Sequence, residues 1–136
     1  MEYSFNWKDT IMEKLGIEMA EYTKERVSVT MPVRPGTYQP FGLLHGGISV
    51  VMAETVASAG TYLFIDRNKQ RAMGLEINAN HLRSVKEGLV KAVGVPVHSG
   101  HKTMVWDVRI YDQDETLFCI SRCTMAILDI TDGNIG

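Results

Sequence analysis

The hydrophobic pattern of the chain changes period several times, and each change marks an element. Trp7 to Leu15 reads as a short helix that stops at Gly16. From Ile17 the period falls to two. Ile17, Met19 and Glu21 oppose Glu18, Ala20 and Tyr22, and Val27, Val29 and Met31 then oppose Arg26, Ser28 and Thr30, which predicts a hairpin. Residues 32–44 hold Pro32, Pro35 and Pro40 with Gly36 and Gly42, a loop long enough to suggest function. Between His45 and Ile65, the residues Ile48, Val51, Met52, Val56, Ala59, Tyr62 and Leu63 recur at helical spacing, so a long, buried or nearly buried helix is expected. After residues 66–70 strands are predicted over about 72–82, 88–98, 103–112 and 116–128, parted by turns at Lys86-Glu87-Gly88, Ser99-Gly100 and Asp112-Gln113-Asp114-Glu115. Short connections between the later strands imply an antiparallel sheet, which must cover the long helix. The class is α+β.

Composition narrows the picture without naming a function. With 136 residues the chain is expected to be one domain over 1–136, large enough for a core without disulfides. A hydrophobic content of 45% with 22% charged residues excludes disorder, and a net charge of -2 argues against nucleic acid as the main partner. Met1 to Trp7 lacks the basic and apolar regions of a signal peptide, and Glu54 with several glycines and hydroxyl residues spoils residues 46–65 as a membrane span. A cytoplasmic protein without membrane attachment is expected. Cys119 and Cys123 lie four apart on a predicted strand, roughly 13 Å along it, too far for one bond or one metal. His98 and His101 therefore do not complete a zinc site with them, and two reduced, partly buried thiols are expected.

The candidate chemistry centres on Glu54, the only charged side chain between His45 and Ile65. A carboxylate among apolar neighbours is costly unless something compensates it, and Ser58 lies one turn further on the same face. Burial would favour its neutral form, so a donor is required, and Ser58, Gln39 or an ordered water can serve. At the front of the helix, Gly46-Gly47 leave backbone N–H groups unobstructed at a positive dipole end, where a developing oxyanion would be stabilised. The plain alternatives are close packing for the glycines, a helix-cap histidine packed under Phe41 for His45, and a solvated loop residue for Gln39. Gly46 and Glu54 are separated by about 12 Å of helix, yet both must reach one reacting group. Two antiparallel helices across a two-fold axis would meet that demand, which predicts a dimer with sites built from both chains.

The segment Gln39-Pro40-Phe41-Gly42-Leu43-Leu44-His45-Gly46-Gly47, Glu54 nine residues after His45, then Ser58, and Asn78-Ala79-Asn80-His81-Leu82-Arg83 together resemble the hotdog-fold acyl-CoA thioesterases. The likeness is to the branch of phenylacetate-pathway, 4-hydroxybenzoyl-CoA and 1,4-dihydroxy-2-naphthoyl-CoA thioesterases, and it covers nearly the whole chain. The resemblance implies a sheet wrapped round a central helix, a homodimer with a continuous sheet, and often a tetramer. It implies Gly46 as oxyanion donor, Glu54 as nucleophile or general base, and supporting roles for His45, Gln39 and Ser58. No metal or redox cofactor is implied. Coenzyme A carries phosphates, so basic donors are needed, and His81, Arg83, His101, Lys102 and Arg122 are candidates, although Arg122 could instead pair with Asp107. By analogy, Phe41, Leu43, Val50 and Met52, together with partner-chain residues, are candidates for the acyl pocket. The alternatives are a hotdog hydratase or dehydratase using His45, and a non-catalytic acyl-CoA-binding protein.

Overall fold

The computed structural model describes residues 5–130, so the signal-peptide reading falls partly on residues 1–4, outside them. The predicted order is present. Helix α1 (Ile11–Leu15) precedes β1 (Glu18–Tyr22) and β2 (Val27–Val33). Helix α2 (Gly46–Thr61) then leads to β3 (Gln70–His81), β4 (Gly88–Ser99), β5 (Thr103–Tyr111) and β6 (Leu117–Asp129). Helix α1 begins four residues later than its pattern suggests. Asp9 takes a left-handed φ of 61° and Thr10 is extended, which breaks the helical run, while Gly16 closes it in the left-handed cap conformation. Helix α2 stops at Thr61, four residues short of the expected Ile65.

The strands form one antiparallel sheet in the order β1-β2-β4-β5-β6-β3. Because β2 lies near one edge and β3 at the other, α2 is the crossover that carries the chain across a sheet face. Its contact residues Met52, Ala53, Val56 and Ala57 are fully buried against Met31, Met104, Trp106 and Val108. Gly60 makes the closest approach possible: a Cβ there would stand 2.4 Å from the Trp106 ring. The indole Nε1–H donates to Thr61 Oγ1 at 3.0 Å, and that hydroxyl donates to the Ala57 carbonyl at 2.8 Å, so the buried tryptophan is satisfied.

The sheet covers only one face of α2. Val51, Glu54, Thr55, Ser58 and Tyr62 lie on the other face and remain partly or fully exposed, so the expected buried helix is half-buried in this chain. The physical reason is that a single sheet covers one side of a helix. The second stripe of α2 lies beyond the sheet and faces Phe5, Trp7 and Met12 across an open cavity. The same openness holds at β3, an edge strand of twelve residues whose Leu75 is 63% exposed. An unpaired apolar edge of this length is a template for another strand.

Candidate active site

The proline-rich segment after β2 is an ordered support for the start of α2. The His45 N–H donates to the Thr37 carbonyl at 2.9 Å, and the Leu44 N–H donates to Val85 at 2.8 Å. Gln39 closes a tight turn: its N–H donates to the Leu43 carbonyl at 2.7 Å, and its side-chain oxygen accepts the Phe41 N–H. His45 is the N-cap of α2, its Nδ1 accepting the Gly47 N–H at 2.8 Å. The first helical N–H, that of Gly46, has no acceptor among the described residues. It is a free donor at the positive end of a sixteen-residue helix.

His81, the last residue of β3, sits directly against this point. Its Nε2 lies 3.2 Å from the Gly46 carbonyl, and a Cβ at Gly46 would come within 3.1 Å of the imidazole. Gln39, Gly46, Ser49, His81 and Arg83 line a cavity of about 290 Å³. Glu54 and Ser58 line a different cavity of about 680 Å³, walled by Trp7, Met12, Val51 and Tyr62. The predicted residues therefore gather in two groups, at the N-terminus of α2 and two turns along it. The other predicted basic groups do not join them. His101 and Lys102 lie at the β4–β5 turn, and Arg122 is exposed on β6. Asp107 stands across from Arg122 in the ladder, but its ion pair, at 3.3 Å, is with Arg109.

Three expectations need correction. Glu54 is exposed in the single chain, because it points from the uncovered face of α2. Met52 is fully buried in the core and lines neither cavity, so it forms no acyl pocket, and Phe41 is 88% exposed and does not cover His45. One feature the sequence reading missed is Gly74. A Cβ there would stand 2.9 Å from Glu54 Oε1, so the missing side chain makes room for the carboxylate. Next to it the β3–β6 register slips between Gly74 and Glu76, a bulge at the edge strand. A glycine within a predicted strand was the available signal.

Both cysteines are free and buried. Burial pushes the Cys119 thiol up to about 11, and burial with the nearby carboxylates Glu54 and Glu76 pushes Cys123 up to about 12. Neither is a nucleophile at neutral pH. No cluster of metal-binding side chains occurs among the described residues, and none of their helices is long and apolar enough to cross a membrane.

An exposed carboxylate, a free N–H at a helix start and a glycine-lined approach to each are a set suited to acyl transfer. The sequence model of the thioesterase superfamily matches residues 41–119, which include both groups. The chain belongs to the thioesterase superfamily. ComA2 of Bacillus subtilis (strain 168) is 58% identical over 89% of this chain and 96% of its own length. The 1,4-dihydroxy-2-naphthoyl-CoA hydrolase of Escherichia coli (strain K12) is 47% identical over 84% of this chain and 83% of its length. The crystal structure of a substituted thioesterase PA1618 from Pseudomonas aeruginosa superposes with a TM-score of 0.88 at 44% identity, covering 90% of this chain and 88% of that one. The protein is thus a hotdog-fold thioesterase, a hydrolase of thioesters.

Proposed function

We propose that the protein hydrolyses aromatic acyl-CoA thioesters in a homodimer whose two sites each take the Gly46 N–H from one chain and Glu54 from the other. The observation that carries this reading is the separation of the two groups. Gly46 and Glu54 line different cavities of one chain, about 12 Å apart along a rigid helix. Neither half performs the reaction alone. A two-fold axis that lays β3 beside β3 and one α2 face against the other would extend the sheet, cover the open stripe and bring the halves together. A tetramer of such dimers remains compatible with this arrangement.

In this site the thioester carbonyl oxygen accepts the Gly46 N–H, which gains strength as negative charge develops on that oxygen. Glu54 attacks the carbonyl carbon or removes a proton from the attacking water. Water supplies the oxygen of the released acid, the C–S bond breaks, and a proton goes to the CoA thiolate. Gln39 and His45 hold the loop that presents the donor, and Ser58 supports the water. His81 and Arg83 beside the Gly46 cavity are the best placed of the basic groups to meet CoA phosphates; His101, Lys102 and Arg122 would require a different path of the nucleotide. The aromatic walls of the larger cavity, with Trp7 and Tyr62, support an aryl acyl group. The leading single substrate is 1,4-dihydroxy-2-naphthoyl-CoA, a menaquinone precursor and the compound for which the E. coli relative is named. Cytoplasmic location accords with that substrate.

The test is complementation. Gly46→Pro removes the donor at the first helical position, where the backbone suits proline and the His81 ring must give by a few tenths of an ångström, and Glu54→Ala removes the carboxylate. Each protein should be inactive in thiol release from an aryl-CoA, and mixing after partial unfolding should return up to one good site per heterodimer. Chains that demonstrably exchange without regaining activity would refute the shared site.

A further inference from the structure

The larger cavity carries a group that the hydrolytic step does not use. It follows α2 from Glu54 past Ser58 to Tyr62, about 12 Å of helix. At the Tyr62 end, Arg67 of the turn before β3 and Arg71 at the start of β3 contribute two guanidinium groups. Arg67 stacks on the aromatic wall, 4.4 Å from the Phe5 ring centroid and 5.5 Å from that of Tyr62. Arg71 is held differently. It is partly buried, and its Nη1 donates to the carbonyls of Arg67 at 2.6 Å and Gln70 at 3.0 Å. Nε and Nη2 have no partner among the described residues, and no carboxylate pairs with the group. The ring beside it is fixed too, since the Tyr62 hydroxyl accepts the Ala72 N–H at 3.2 Å.

We infer that Arg71 is a specificity-determining residue that receives an oxygen substituent, hydroxyl or carboxylate, on the far edge of an aryl acyl group whose carbonyl lies at Glu54. The inference rests on the proposed placement of the carbonyl. A guanidinium anchored by one nitrogen presents its remaining donors in a fixed fork, which an oxygen acceptor satisfies and a methyl group leaves unpaired. A site that binds a polar group in this way discriminates against the analogue lacking it, because the aryl group that covers the donors takes their water without giving them a partner.

The experiment compares 4-hydroxybenzoyl- and 4-methylbenzoyl-CoA, near-isosteric at the varied position, and the larger, charged 4-carboxybenzoyl-CoA, in wild type, Arg71→Met and Arg71→Gln. Wild type should prefer the two oxygen-bearing substrates in kcat/KM by about tenfold or more. Arg71→Met should remove that preference, lowering kcat/KM for the two oxygen-bearing substrates relative to 4-methylbenzoyl-CoA by about tenfold. Arg71→Gln keeps a polar but uncharged and shorter side chain and serves as the second variant if the methionine protein melts early. It should lose the preference for the carboxylate in particular. Equal losses on all three substrates, or no preference in wild type, would overturn the role of Arg71 while leaving thioester hydrolysis standing. Failure of wild type to cleave any of the three would instead overturn the aryl-CoA reading beneath it.

Discussion

Gly74→Ala separates the position of Glu54 from the stability of the fold. The added methyl would stand 2.9 Å from Glu54 Oε1 and 3.1 Å from its Cδ, whereas ordinary contacts begin near 3.4 Å. Something must move by about half an ångström, and the carboxylate, the far end of a flexible side chain, is what gives way. The backbone accepts alanine because φ at Gly74 is not positive. Alanine in a strand costs less conformational entropy than glycine, so the melting temperature should hold or rise slightly. Activity should not hold. A misplacement of 1 Å at a reacting group costs about a hundredfold in rate, so half that displacement costs about tenfold, or about 1.4 kcal/mol in the barrier. The assay is kcat/KM by thiol release from benzoyl-CoA beside a thermal melt. Gly60→Ala is the contrasting control: its methyl would meet the enclosed Trp106 ring at 2.4 Å, so about 1–3 kcal/mol of stability should be lost. A folded Gly74→Ala protein with wild-type kcat/KM would refute the claim that the carboxylate acts from this position.

His45→Ala should remove the cap on the Gly47 N–H and cost about 1 kcal/mol in urea unfolding; no loss would mean the cap is replaced by water. Cys119 and Cys123 should resist an aromatic disulfide reagent at pH 8 until urea is added, and labelling of the native protein would contradict their burial. Their native pKa values, about 11 and about 12, lie above the ordinary 9.0, so they also set an alkaline limit. Unfolded thiols lose protons from about pH 9 while native ones keep them, so the unfolded state binds fewer protons and stability falls as pH rises. The stabilisation is complete below pH 9 and lost through pH 11 to 12, at up to about 1.4 kcal/mol per pH unit per thiol. The doubly substituted Cys119→Ala, Cys123→Ala protein should show a flatter alkaline limb, and an unchanged limb would assign the effect elsewhere.

The strands were legible because their period-two pattern reflects what a one-sided sheet imposes. Met104, Trp106, Val108 and Ile110 are all fully buried, and the residues between them are not. The limits of the helices were less legible. Nothing in the apolar spacing of Trp7 to Leu15 forewarns of the left-handed Asp9, which depends on local backbone geometry rather than periodicity. The start of α2 could be read to the residue, because Gly-Gly after His45 is a local signal. The assignment of Met52 to the acyl pocket failed for a different reason. Apolar residues on a helix look alike in sequence whether they face the sheet, as Met52 does, or the open side, as Val51 does. Periodicity assigns residues to faces, and it does not say which face is covered.

That ambiguity is itself informative about α2. A helix with apolar and small residues all round its circumference is ordinarily covered on all sides. Here the sheet covers only the stripe through Met52, Val56 and Gly60. The opposite stripe keeps Val51, Thr55 and Ser58 small, with one carboxylate, and the β3 edge beside it carries Met73 and Leu75 into solvent. Such a surface would be a liability on a lone chain, and lysines or prolines would ordinarily blunt it. The β3 edge carries neither lysine nor proline, and its one bulge, beside Gly74, lies where the chain spares room for Glu54. Sequence choices that favour contact and catalysis at one face are expected if the second cover of α2 is another copy of the same chain. On that account the carboxylate is exposed here for the same reason that the site is incomplete here.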